Sequence, residues 1–70
     1  MLIRLDDPQL VDDLCAHFRR SGFVAETAGG TMVDVERPGT KGHREAELEV
    51  QGLLQVWLIL NPGHKAELVP

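Results

Sequence analysis

The chain has 70 residues, carries 7 basic against 11 acidic side chains for a net charge of −4, and contains a single cysteine, Cys15. A chain of this length makes one domain and buries only roughly 60% of the surface its unfolded form exposes. One thiol excludes an internal disulfide and a multi-cysteine metal cage, and the acidic balance opposes nucleic acid and anionic lipid, which leaves oligomerisation as the common route to added stability.

Met1 is followed at once by Leu2-Ile3-Arg4-Leu5 and then by Asp6-Asp7-Pro8, without the basic start, apolar core and small-residue cleavage site of a signal peptide. The longest apolar run, Val56 to Leu60, is too short to span a bilayer. The expectation is a soluble, cytoplasmic protein with no membrane partner.

Ile3 and Leu5 alternate with Arg4 as in a half-buried strand. Asp6-Asp7-Pro8-Gln9 is helix-start chemistry: Asp7 as cap places Pro8 at the first helical position, and Asp6 as cap makes Gln9 the capping-box partner. Leu10, Val11, Leu14, Cys15 and Phe18 recur at helical spacing, Arg19-Arg20 suit the negative end of the helix dipole, and Gly22 supplies a left-handed stop. Asp12 and Asp13 are expected on the solvated side.

Residues 23–27 and 31–36 are β-prone runs separated by Ala28-Gly29-Gly30, the signature of a tight antiparallel hairpin with Val33 and Val35 facing the core. Arg37-Pro38-Gly39-Thr40-Lys41-Gly42 is a loop. Residues 45–51 alternate like a strand, yet a wider window favours a helix. Ala46, Val50, Leu53, Leu54, Trp57 and Leu60 fall within roughly 120° on a wheel of about 100° per residue, a stripe that a strand would divide between two faces. Asn61-Pro62-Gly63 stops this helix, and residues 64–69 alternate as a last strand with Ala66 and Leu68 inward.

The order β-α-β-β-α-β over residues 1–70 is a single α+β domain of ferredoxin-like, split βαβ type, with four antiparallel strands and both helices on one face. Right-handed crossovers place the first and third strands at its centre, in the order 4-1-3-2. Residues 7–14 (Asp-Pro-Gln-Leu-Val-Asp-Asp-Leu), 21–26 (Ser-Gly-Phe-Val-Ala-Glu), 54–58 (Leu-Gln-Val-Trp-Leu) and 61–68 (Asn-Pro-Gly-His-Lys-Ala-Glu-Leu) resemble a group of small uncharacterised bacterial proteins of about this length. The matching positions are caps, turns and core residues, so the resemblance implies this fold and no activity. Ferredoxin-like domains include ligand-binding regulators and RNA binders, so fold alone does not assign function.

The residues that carry chemistry are few. Arg37, Lys41, His43 and Arg44 gather at the start of the second helix, where free backbone amides and the positive dipole end suit a small anion, although Gly-Thr-Lys-Gly is not a Walker motif. Asp6, Asp7, Asp12 and Asp13 lack the spacing of a calcium loop. Cys15 and His17, two apart on a helix, point in different directions; His43 and Glu47 are a surface pair at i, i+4; His64 belongs to a turn. No nucleophile, base and orienting group come together by spacing, and the central strands lack the aromatic side chains that stack RNA bases. The expectation is a non-enzymatic domain without cofactor or metal, with nucleic acid a disfavoured partner whose only support is the basic loop.

Leu48, Gly52, Val56 and Ile59 lie roughly opposite the Val50 and Trp57 stripe, so the second helix is apolar on two faces and only one can pack inward. The other calls for a partner, and Gly52 admits a close backbone. A homodimer is the commonest form. The sequence therefore predicts a homodimeric, protein-binding or small regulatory module, with the Arg37 to Arg44 loop as an anion site. A small enzyme or metal-dependent subunit completed at an oligomer interface is the alternative.

Overall fold

The computed structural model describes residues 1–39 and 42–70. Strand β1 (Leu2–Leu5) leads through a 3-10 turn (Pro8–Leu10) into helix α1 (Val11–Arg20), followed by strands β2 (Val24–Thr27) and β3 (Met32–Glu36), helix α2 (His43–Leu60) and strand β4 (Ala66–Val69). The strands form one antiparallel sheet in the order β2-β3-β1-β4. This is the ferredoxin-like α+β arrangement, with β1 and β3 at the centre.

The start of α1 is tighter than the spacing predicts. Asp7 caps the 3-10 turn by accepting from the Gln9 amide at 2.9 Å, and regular α-helix begins only at Val11. Asp6 is not a cap for this helix: its carboxylate accepts from the Lys65 amide at 3.0 Å and lies 3.3 Å from His64 Nδ1, which pins the entry of β4 to the exit of β1. The other end of α1 follows the sequence closely. Gly22 adopts φ +86°, its amide donates to the Arg19 carbonyl and the Phe23 amide to that of Phe18, and the two phenyl rings meet edge to face at 5.5 Å. Both backbone bonds and the apolar contact of a Schellman stop are present.

Gly29 and Gly30 take positive φ in the hairpin turn, and Ala28 and Met32 close it from either side. The alternation then sends Ile3, Leu5, Ala25, Val33 and Val35 to one face, where they are buried beneath Val11, Leu14, Cys15 and Phe18 of α1 and Val50, Leu54 and Trp57 of α2. Trp57 is the largest of the fully buried side chains, and its indole N–H donates to the Asp13 carboxylate at 2.8 Å. Asp13 is therefore not merely a solvated residue: it ties α1 to α2. Burial leaves the indole needing a partner, and a carboxylate supplies a charge-assisted one.

The two edges of the sheet are finished differently. The Ala28 amide donates to Met32, so by the alternation of an antiparallel ladder Ala25 and Thr27 turn their backbone groups away from β3. Arg19 caps that edge, donating from Nε at 2.9 Å and from Nη2 at 2.6 Å to the Ala25 carbonyl. At β4, among the described residues, no side chain hydrogen-bonds to the Ala66 or Leu68 backbone as Arg19 does to Ala25.

Candidate interaction surface

Helix α2 starts on a run of good helix formers from Arg44 to Glu49 and ends at Asn61, whose side-chain amide donates to the Trp57 carbonyl. Packing against the sheet then divides the helix. Ala46, Val50, Leu54 and Trp57 are buried and Leu53 is half-buried, as the stripe predicts, whereas Leu60 is 68% exposed. The stripe places Leu60 inward, but it is the last residue of α2 and the helix outruns the core there, with Ile59 and Leu60 both in solvent.

On the opposite side Leu48 is 57% exposed, Val56 48% and Ile59 76%, with Gly52 open among them. A Cβ built on Gly52 meets nothing within 4 Å, so this glycine leaves a flat place on the helix that no part of its own protomer fills. Neither of the arrangements that would have hidden this face exists: residues 45–60 are helical, and Leu48, Val56 and Ile59 are not enclosed.

A groove runs between α2 and β4. One part, of about 500 Å³, is lined by Leu48, Gln51, Gly52 and Gln55 on the helix and by Ala66, Glu67 and Leu68 on the strand. A second part, of about 390 Å³, continues past Gln51, Glu47 and His43 to Leu68, Val69 and Pro70. The groove is open and mixed in character, with Gln51, Gln55, Glu47, Glu67 and His43 beside aliphatic side chains. The outer face of the sheet is mixed as well. Leu2 and Val24 are exposed there, and Arg4 faces Glu67 at 3.3 Å.

Of the residues of the anion reading, Arg37 and His43 line one open pocket of about 340 Å³ with Met1, Val35, Glu36 and Ala46. Arg37 donates to Glu49 at 2.7 Å and its guanidinium lies 5.3 Å from the centre of the Phe23 ring, so its charge closes the end of the core under α2. His43 is turned to Glu47 at 3.7 Å, and Arg44 is exposed. Lys41 lies outside the described residues.

His17 and Cys15, set aside in the sequence because they diverge on α1, are both buried. His17 Nε2 lies 2.8 Å from the Leu53 carbonyl, and since a carbonyl only accepts, Nε2 carries the proton and donates. The ring thus bonds α1 to α2 beside the Trp57–Asp13 link. Burial pushes the Cys15 thiol pKa up, with the nearby Asp12 and Glu26 carboxylates adding to the rise and Arg19 opposing it. A thiol held protonated in an apolar interior is a packing group. Among the described residues no three histidine, cysteine or acidic side chains are placed to hold a metal ion, and no helix is long and apolar enough to cross a membrane.

Asp6 gives the fold its clearest pH dependence. Burial raises its pKa, but the Lys65 amide, the His64 ring bond and the charge of that ring outweigh burial and hold the carboxyl below its ordinary 3.8. A carboxylate depressed in the folded state contributes stability that is present above the unfolded value and lost as pH falls through the folded one. Thermal melts of wild type from about pH 7 to about pH 2 should show that loss. Asp6→Asn keeps an acceptor and removes the charge, so its melting temperature should be lower at neutral pH and should converge on wild type in acid. Parallel curves for the two proteins would contradict the assignment.

Compared with known proteins, the chain matches no family model, no curated protein and no solved structure. What stands of the resemblance to small bacterial proteins is the fold: a four-stranded antiparallel sheet carrying two helices.

Proposed function

We propose that this domain is a non-catalytic interaction module that works as a homodimer, using the outer face of α2 as its binding surface. The observation that carries the reading is the exposure of Leu48, Val56 and Ile59 around Gly52 on a helix whose other face packs on the core through Ala46, Val50, Leu54 and Trp57. Scattered exposed aliphatics are ordinary. Three on one side of a single helix, with a glycine that admits a backbone between them, form a contiguous apolar surface in a domain too small to waste it. Burying that surface against a second copy gains on the order of 25 cal/mol per Å² of apolar area, and a two-fold axis lets one patch serve both partners.

A small anion at Arg37, Lys41, His43 and Arg44 is the second reading: Arg37 and His43 line one pocket, and each also faces a carboxylate with which an anion would compete. The dimer reading is tested by methyl NMR with a soluble paramagnetic agent. At high protein concentration the methyl groups of Leu48, Val56 and Ile59 should be shielded from the agent, and dilution should expose them while Val24, on the far side of the sheet, broadens equally throughout. Equal broadening of all four at every concentration would sink the reading.

A further inference from the structure

Resting on the homodimer proposed above, we infer that the two copies meet at the β4 edge, pairing β4 antiparallel with its mate about a two-fold axis through Ala66 so that the sheets join into one of eight strands. The first support is the contrast between the edges. Exposed strand edges invite pairing, and this protein blocks one of them with Arg19 on the Ala25 carbonyl while β4 is left without such a cover among the described residues.

The second support is which backbone groups β4 offers. The Asp6 amide donates to the Lys65 carbonyl at 3.0 Å, and Arg4 is opposite Glu67 and Leu2 opposite Val69. Hydrogen-bonding sides alternate along an antiparallel strand, so Lys65, Glu67 and Val69 turn their backbone groups to β1 while Ala66 and Leu68 present theirs outward. Over residues 65–69 a two-fold register can centre on any of five residues: Lys65 as centre sets two like charges together, and Val69 as centre sets Leu68 against Pro70, which has no amide. Centring on Leu68 sets Ala66 against Pro70, which has no amide to give. Centring on Glu67 sets Glu67 directly against Glu67 of the second copy, a destabilising like-charge pair.

Centring on Ala66 is the register that satisfies both. The two Ala66 residues exchange both backbone bonds, each Leu68 amide meets a His64 carbonyl, and Lys65 faces Glu67 of the second copy twice over, once on each side of the axis. Glu67 already sits 3.3 Å from Arg4, so the joined sheet would carry Arg4, Glu67 and the second copy's lysine as a row of alternating charge. A lysine on an edge strand ordinarily repels an incoming strand. Here the residue that would face it is acidic, which makes the strand complementary to itself and to few others. The groove above β4 supplies the rest, since Leu48 and Gly52 overhang it beside Gln51 and Gln55 and would reach the seam from both sides.

Disulfide trapping tests the register. An equal mixture of Lys65→Cys and Glu67→Cys proteins is oxidised mildly and the cross-linked peptides are identified by mass, with Ser21→Cys, exposed at the far end of α1, as the collision control; native Cys15 is buried and stays reduced. A 65–67 bond that forms well ahead of the control supports the pairing. Bond formation by Glu67→Cys alone places the axis on Glu67 and overturns it. A wild type that dimerises while no 65–67 bond exceeds the control overturns the edge pairing and leaves the homodimer standing, and a monomeric wild type removes both. Because the cysteines delete the charges, the charge pair is tested separately: Lys65→Glu should weaken the dimer at least about three-fold, and adding Glu67→Lys together with Arg4→Glu, so that positions 4 and 67 stay oppositely charged, should restore it. Failure of the added changes to restore association contradicts the register.

Discussion

Trp57→Ala is expected to remove about half of the folding stability of the chain. The indole is buried to 1% exposure at the junction of both helices with the sheet, and removing so large a side chain from a packed core costs about 3–5 kcal/mol. The same change strips Asp13 of the N–H it accepts at 2.8 Å. Domains hold roughly 0.05–0.15 kcal/mol per residue, so a chain of 70 has only about 4–10 kcal/mol in all. Urea titration followed by far-ultraviolet circular dichroism should find the Trp57→Ala midpoint at about half the wild-type value. Trp57→Phe keeps much of the volume and loses the hydrogen bond, and it should fall between the two. A Trp57→Ala protein with a midpoint close to wild type would mean that α2 is not anchored by this residue.

The second large effect is on association rather than folding. Leu48→Glu and Ile59→Glu place charges on the exposed side of α2, where glutamate is a good helix former and no core contact is lost, so the protomer should melt as before. Across a dimer interface each change buries an unpaired carboxylate and removes apolar contact. Central interface positions of this kind cost at least about 2 kcal/mol, roughly thirty-fold in Kd, and the double variant should be a folded monomer. Light scattering at matched concentrations gives the answer. A double variant with the mass of wild type would place the contact elsewhere, and one that also loses its helix signal would show that Leu48 or Ile59 supports the protomer itself.

Local chemistry was legible in the sequence wherever the cause is local. The Schellman stop at Gly22, the hairpin turn at Gly29-Gly30 and the inward Val33 and Val35 follow from neighbours within a few residues, and the structure has each of them. The choice of helix for residues 45–60 needed a longer window, and the burial of Ala46, Val50, Leu54 and Trp57 agrees with it. Leu60 went astray because a helical wheel carries no information about where the core ends.

Side-chain links between distant segments were not legible. Asp6 reads as a helix cap because Pro8 and Gln9 follow it, yet its carboxylate serves Lys65, 59 residues away. Asp13 reads as a solvated acid because it falls outside the apolar stripe of α1, but its partner is Trp57. His17 and the Leu53 carbonyl, and Arg37 and Glu49, are pairs of the same kind. Arg37 illustrates the consequence for the candidate site: counted by sequence it adds a cation to the loop before α2, whereas in space that cation is bound to a carboxylate of the helix itself. The apolar outer face of α2 needed no distant partner to be noticed, since it is a property of one helix.

Sedimentation equilibrium of the wild-type protein over a wide concentration range is the most direct test of the claim that α2 carries more apolar surface than its own protomer covers. The apparent mass should rise from that of one chain to that of two and level off there. A mass that stays at one chain up to about 1 mM, the concentration at which even a contact of roughly 4 kcal/mol is half formed, would contradict it.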